Sequence, residues 1–324
     1  MDASALMSEF VHLHNHTHFS LQDAACTVDK LVQAAKKFNM KSVALTDHGV
    51  LYGIPGFYKA AKKEGIKPII GMESYIVLDG SRLDRGKNAA PQSGTRKKAY
   101  HHLILIAKNN EGYKNLLKLS SIGFTEGFYY RPRIDFDTLK KYSEGLICTT
   151  ACVGGIVAPF LVNKDYDKAK SVAKQFKDLF GDDFYLEIQD HGIEDEQAML
   201  TGMPKLSKEL DIKMIATNDC HYINQEDSIS HNILLLMGDK SGEADYKKLR
   251  YGTDQIYFKS TDEMVKLLGS YKGAIENTLE IADKVDVNLD DKEYHFPVFL
   301  LKLLFHFHTA QRYRYVGTRQ IRHA

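Results

Sequence analysis

Five places in this 324-residue sequence group side chains that bind metal ions. They are His14-Asn15-His16 with Asp23 close behind, Asp47-His48-Gly49, Gly71-Met72-Glu73, Thr150-Ala151-Cys152 and Asn218-Asp219-Cys220-His221. Side chains two apart on an extended strand point to the same side, so His14 and His16 can reach one ion. Asp219 and His221 repeat that spacing with one carboxylate and one imidazole. Carboxylates such as Glu73 and Asp219 can bridge two cations, which is how multi-metal centres form, and the chemistry in view is metal-assisted hydrolysis. Nitrogen, oxygen and one sulfur donor suit zinc, manganese or iron better than calcium. A lone His-x-His is more often accidental than a ligand pair; the joint placement of all five groups carries the weight.

Each group follows a short apolar run. Runs at 10–14, 42–46, 67–72, 102–107, 146–150, 184–188 and 213–217 read as strands. Helical spacing lies between them. Near 29–39, Val28, Leu31, Val32 and Ala35 share a face behind a Thr27 cap. Further helices are predicted near 55–64, 111–121, 167–179 and 194–210, and helical pattern continues at 224–237 and 261–285. Alternating strands and helices predict parallel strands in βαβ units. A closed barrel and an open doubly wound sheet both satisfy that. The barrel is favoured, because its strand ends converge on one face and would gather these residues into one cluster. His102 is the weakest member, since it begins its run instead of ending it, and His101 is its rival. Asp190-His191 reads as a rim pair and His12 as an outer or core histidine. His18, His231 and His295 read as non-ligands, and Cys26, Cys148 and Cys220 as packed thiols.

The composition is that of an ordinary globular chain: 43 Lys+Arg against 42 Asp+Glu, with 44% hydrophobic residues. That excludes a disordered, collagenous or disulfide-stapled protein. The cysteines form no C-x-x-C pair, and the start lacks the basic and apolar stretches of a signal peptide. The longest apolar stretch, 296–305, is far short of the roughly twenty residues a membrane helix needs. A reducing cytoplasmic setting without a membrane partner is expected. Lys302, Arg312, Arg314, Arg319 and Arg322 gather after Leu300 with no acid among them, which leaves residues 1–299 net acidic. Nucleic acid is therefore not gripped by bulk charge, and any phosphate contact must be local or metal-mediated. The tail reads as a basic arm or as a non-native, unfolded end, and its lack of period favours the second. The expected organisation is an extension at 1–9, a barrel at 10–285 with a polar loop at 79–98, the start of a linker at 286–299, and the basic tail at 300–324.

Several stretches resemble a known family. The segment Phe10-Val11-His12-Leu13-His14-Asn15-His16-Thr17, with Ser20-Leu21-Gln22-Asp23 after it, is similar to the opening of the polymerase and histidinol phosphatase (PHP) domain. Thr46-Asp47-His48-Gly49, Gly71-Met72-Glu73, the run His102 to Asn109, the stretch Gly127 to Asp135 and Thr217-Asn218-Asp219-Cys220-His221-Tyr222 resemble the form of that domain at the amino terminus of bacterial replicative DNA polymerase III alpha subunits. The resemblance covers residues 8–298. It implies a distorted (β/α)7 TIM-like barrel with a three-metal centre on its carboxyl face. The first metal would take His14, His16, Glu73 and Asp219; the second Asp23, His48 and His221; the third Glu73, His102 and Cys152. Two to three divalent ions, zinc or manganese, would be the only cofactors, with His14, His16, Glu73 and Asp219 catalytic through them.

The resemblance also implies phosphodiester hydrolysis, in the form of 3′–5′ exonucleolytic proofreading at a DNA primer 3′ end. The parent would be a DNA-directed DNA polymerase, with the polymerase core and other replisome subunits as partners. In the family, polymerisation depends on an Asp-x-Asp pair in a downstream palm domain, so this chain is expected to be a fragment that cannot polymerise alone. Arg131 and Arg133 are candidates for holding phosphate, because a guanidinium offers a fork of donors. Salt bridges to Asp135 and Asp137 are the alternative. Tyr129 and Tyr130 could stack on bases or pack, and packing is favoured. Two other functions compete: a histidinol-phosphate-type phosphatase, and a non-catalytic scaffold that stabilises the polymerase and docks replisome subunits.

Overall fold

The structure is a computed structural model and describes residues 9–85, 100–237, 245 and 248–290. The extension before residue 9, most of the polar loop at 79–98 and the tail at 300–324 lie outside the described residues.

Helices begin and end where local chemistry directs. Helix α1 (Val28–Lys37) starts at Thr27, whose hydroxyl accepts from the Lys30 N–H. It buries Val28, Leu31, Val32 and Ala35, and the chain turns out at Asn39, which has φ 56°. After strand β1 (Ser42–Leu45), α2 (Ile54–Glu64) carries Pro55 in its first turn, where the missing N–H has no partner to lose, and it stops at Gly65 with φ 73°. Strands β2 (Lys67–Val77) and β3 (His101–Ala107) precede α3 (Asn110–Thr125), which is capped by the Asn109 side chain. A hairpin of β4 (Phe128–Tyr129) and β5 (Arg131–Asp135) leads to α4 (Phe136–Lys141). Then come β6 (Leu146–Thr149), α5 (Ala158–Val162), α6 (Tyr166–Phe180), β7 (Phe184–Ile188), α7 (Glu194–Leu210) and β8 (Met214–Ala216). Last are α8 (Ser228–Leu236), α9 (Thr261–Leu268) and α10 (Glu276–Lys284). The single stretch expected at 261–285 is thus two helices, parted where Gly273 takes φ 78°. The hydrophobic pattern predicts neither the hairpin nor α4 and α5, which are too short to display a period.

The strands curl into a distorted barrel. Strand β2 pairs with β1 along its first half, with β3 on its other edge, and with β5 near its end. The ladder continues through β3, β6, β7 and β8. Closure comes from the segment 10–16. Ala44 N–H donates to His12 O and Thr46 N–H to Asn15 O, while His16 N–H donates to Cys220 O and Cys220 N–H to His14 O. Two steps along β1 therefore face three along the closing segment, which is a β-bulge. It puts His12 out of step with His14, and His12 takes a core position. His12 packs between Phe10 and Phe258, its Nε2 2.7 Å from Lys259 O.

One expectation fails. Strand β3 runs antiparallel to both β2 and β6, while the other staves run parallel. An antiparallel neighbour needs no crossover helix, and among the described residues none lies between β2 and β3. The reversal puts the start of β3 on the face where the other staves end. The barrel interior below that face is packed with Val11, Leu13, Ala44, Ile69, Ile104 and Ile215, a dry floor under the site. A second shell of apolar residues joins the barrel to its helices.

Candidate metal centre

On the carboxyl face five imidazoles and three carboxylates converge: His14 and His16 from the closing segment, Asp23 from the turn after it, His48 from the turn after β1, Glu73 from β2, His102 from the start of β3, and Asp219 and His221 from the segment after β8. Glu73, fully buried in the middle of β2, is the hub. Its Oε1 lies 2.8 Å from His102 Nδ1 and 3.7 Å from His14 Nε2, and its Oε2 lies 2.6 Å from His48 Nδ1 and 3.2 Å from His16 Nε2. Asp219 Oδ1 is 3.1 Å from His14 Nε2 and 3.2 Å from His16 Nε2. Asp23 is 2.8 Å from His48 Nε2 and 4.0 Å from His221 Nε2. Cys152 Sγ is 3.7 Å from His102 Nδ1. Three groups bring donor atoms within 4.8 Å of one another: His14, His16 and Glu73; His16, His48 and His221; and Glu73, His102 and Cys152. The antiparallel β3 is what delivers His102. His101 turns away, with Nδ1 3.0 Å from Gly155 O and its ring against Phe160.

The donor set fits divalent metal ions. Both Glu73 oxygens, Asp219 Oδ1, His48 Nδ1 and His221 Nε2 are buried without a hydrogen-bond partner, despite close neighbours. An unsatisfied buried polar atom costs about 1–3 kcal/mol, so this concentration of donor atoms fits a bound cation. The electrostatics agree. Burial pushes the Glu73 carboxyl up, but His102, His48 and His14 hold it well below the usual carboxylate range. Burial likewise opposes ionisation of Asp219, and His14, His221 and His16 outweigh it. Burial lowers His14 and His48, yet Asp219 and Glu187 raise the first, and Glu73 and Asp23 help to raise the second. The fold keeps its carboxylates ionised and must draw cations, protons or metals, to balance them.

The family model of the PHP domain matches residues 12–191. This chain belongs to the PHP domain family. Its curated relatives include proteins named DNA polymerase III subunit alpha. That of Borreliella burgdorferi is 47% identical over 279 residues, 86% of this chain and 24% of the relative. That of Aquifex aeolicus is 44% identical over 285 residues, with the same two coverages. That of Treponema pallidum is 38% identical over 291 residues, covering 90% of this chain and 24% of the relative. The chain thus spans about a quarter of the length of the curated relatives it matches. Among solved structures, an amidohydrolase from Chromobacterium violaceum superposes with a TM-score of 0.43 at 11% identity, over 65% of this chain and 87% of that one. No helix among the described residues of this PHP domain is long and apolar enough to cross a membrane.

Behind the PHP domain's donor atoms lies a supporting layer that sequence reasoning missed. Glu187, fully buried on β7, has Oε1 2.6 Å from His14 Nδ1 and accepts on the same oxygen from Gln189 and Thr217; Thr149 donates to Oε2. That fixes the His14 ring with Nε2 toward the cluster. His16 Nδ1 is 3.0 Å from Ser20 Oγ, which donates to Asp47. Asp47 also accepts from Thr17 N–H and Thr17 Oγ1. So Asp47 of the Asp-His-Gly turn steadies the first loop, and His48 alone enters the cluster. Tyr251 donates its phenol to Asp23 Oδ1 at 2.5 Å, and His231 lies 2.6 Å from Asp23 O.

Other candidates fall elsewhere. His191 is occupied by Glu196 and Asn218 O, and His18 lies against Phe19. Cys26, Cys148 and Cys220 are buried free thiols. Arg133 is a correction. It is 1% exposed, and its guanidinium donates to the carbonyls of Gly127, Arg82 and Asp84, which leaves its donor fork committed to the fold. Asp135, its expected salt-bridge partner, takes Arg82 instead. Tyr129 packs under the Arg133 guanidinium at 5.1 Å. Arg131 stays exposed, over the Tyr75 ring at 5.6 Å.

Gly49 shows how the hairpin is tied to the centre. It has φ +66°, and a Cβ there would lie 2.6 Å from Pro132 Cγ and 3.4 Å from the Tyr75 ring. Gly49→Ala is therefore expected to destabilise the domain by about 1–3 kcal/mol in urea unfolding, through left-handed strain and the collision with Pro132. Wild-type stability in that variant would mean that the turn and hairpin are not packed as described.

Proposed function

We propose that this domain is a metal-dependent phosphodiesterase acting on DNA 3′ ends, the 3′–5′ exonuclease of a longer replicative polymerase chain. The observation that carries the reading is the convergence of ionised, buried carboxylates and unpartnered imidazole nitrogens on one open face. His14, His16, Glu73 and Asp219 would hold one cation; Asp23, His48 and His221 a second; Glu73, His102 and Cys152 a third. The mixed nitrogen, oxygen and sulfur donors support zinc or manganese. Divalent ions held there supply positive charge to a phosphate and a nucleophile active at neutral pH. The chain's own contribution is orientation. Glu187 and Ser20 fix the two imidazoles of the first pair, and Tyr251 fixes Asp23. The cleft that admits substrate is lined by Asp23, His48, His102, Cys152, Asp219 and Tyr251. The relatives' name supports a polymerase core and replisome subunits as partners in the longer chain and a DNA primer as substrate.

The test is elemental mass spectrometry on the purified chain, followed by hydrolysis of a 3′-labelled mismatched primer. About two to three equivalents of metal per chain and release of mononucleotides are expected. A chain that stays metal-free after refilling with zinc or manganese would overturn the reading and leave a scaffold role in its place.

A further inference from the structure

We propose that the β4–β5 hairpin forms a second subsite beside the metal centre, which takes the neighbouring phosphate of a polynucleotide on Arg131 and its base on Tyr130. The proposal rests on the phosphodiesterase reading and specifies how that site would select polynucleotides. Among the described residues Arg131 pairs with the Tyr100 phenol and forms no salt bridge with a carboxylate, although it is exposed and permanently charged. Its guanidinium lies over the Tyr75 ring, and that ring is 5.8 Å from the His48 ring and 5.4 Å from the His102 ring. One aromatic ring thus separates a fixed cation from two imidazoles of the centre. That places Arg131 beside the candidate ligands and not among them, where it can hold the next phosphate along a strand. A fixed cation beside a centre that gathers cations is repelled by it, and an anion between them removes the conflict. Pro132, packed on Gly49, holds the hairpin against the His48 turn.

Tyr130 supplies the independent observation. It is the single residue between the paired Tyr129 and Arg131, it has φ 61°, and it is 79% exposed. That backbone region favours glycine, and a bulky residue there is strained. The ring meets Tyr129 edge-on at 4.6 Å and otherwise stands in solvent, so it buries little in return for the strain. A solvent-facing aromatic next to a phosphate-binding arginine is what a base stacks on, whatever its identity. A monoester with one phosphate and no neighbouring base would use neither residue.

The experiment compares a dinucleoside monophosphate, with one phosphate, and a trinucleoside diphosphate, with two, as substrates for the metal-loaded 324-residue chain. The wild type is expected to favour the trinucleotide by about tenfold or more in kcat/KM, through KM, as a charge-assisted hydrogen bond allows. Arg131→Gln should remove most of that preference, and Arg131→Lys should restore part of it. Tyr130→Gly should melt at or above the wild-type temperature yet raise KM for the trinucleotide several-fold. A wild type without preference, or a preference that survives in both Arg131→Gln and Tyr130→Gly, overturns the subsite while leaving the phosphodiesterase reading intact. A wild type that cleaves neither substrate brings down that reading and the subsite with it.

Discussion

Replacing Glu73 by glutamine is expected to empty the metal centre while leaving the barrel folded. The two Glu73 oxygens lie within 2.6–3.7 Å of four imidazoles, those of His14, His16, His48 and His102. Among the described residues no other side chain reaches so many of the donors. Glutamine has the same volume, so no cavity opens in β2. It lacks the negative charge, however, and one of its termini becomes an NH2 that would face an imidazole lone pair or a cation. Loss of an outer hydrogen-bond partner costs about 10–100-fold in metal affinity or activity; loss of a carboxylate that would itself be a ligand should exceed that. A ligand that binds only the folded state stabilises it by about 4 kcal/mol at a thousand times its Kd. Chelation should therefore lower the melting temperature of the wild type and leave Glu73→Gln nearly unmoved. Elemental analysis and melting curves with and without chelator check both statements. A Glu73→Gln protein that retains the full metal content and the chelator-dependent shift would remove Glu73 from the centre.

Much of this site can be read from the chain because metal donors stand immediately after apolar runs. His14 and His16 are paired two apart, and Glu73 closes the apolar part of its run, so the geometry of an extended strand leads directly to a cluster; Asp219 and His221 share the spacing but lie past the end of β8, with Asp219 at φ 40°. What cannot be read is direction and register. An apolar run such as Leu103 to Ala107 looks the same from either end, so nothing local reveals that β3 is reversed and that its first residues face the centre. The bulge in the closing segment is equally silent, because it depends on which β1 carbonyls and amides face it. Charge shows in a sequence, but its partners do not. Arg133 looks free to bind phosphate until three backbone carbonyls are found around it. Glu187 did leave a signal: it is an acid inside an otherwise apolar strand buried at every position. A charge in that setting needs partners, and Gln189 and Thr217 stand on neighbouring strand ends to supply them.

Glu187 is also where the second large effect is expected. Its carboxylate is fully buried and receives His14, Gln189 and Thr217 on one oxygen and Thr149 on the other. Glutamine can keep this network, since its carbonyl can accept the same three donors and the Thr149 hydroxyl can rotate to accept from its NH2. The charge behind His14 is gone, and with it the support that makes Nε2 a strong donor. Glu187→Gln is expected to fold normally and to bind metal about 10–100-fold more weakly, with activity recovered by added metal. Alanine removes the buried acceptor shared by His14, Gln189, Thr217 and Thr149, although Gln189 Nε2 still donates to Thr217 Oγ1. Glu187→Ala should lose about 3–5 kcal/mol of folding stability, as expected when one partner of a buried ionic network is removed. Metal titration read by activity, beside urea unfolding, separates the two. A Glu187→Gln titration that overlays the wild type would mean that the carboxylate holds the barrel together and does nothing for the ligand in front of it.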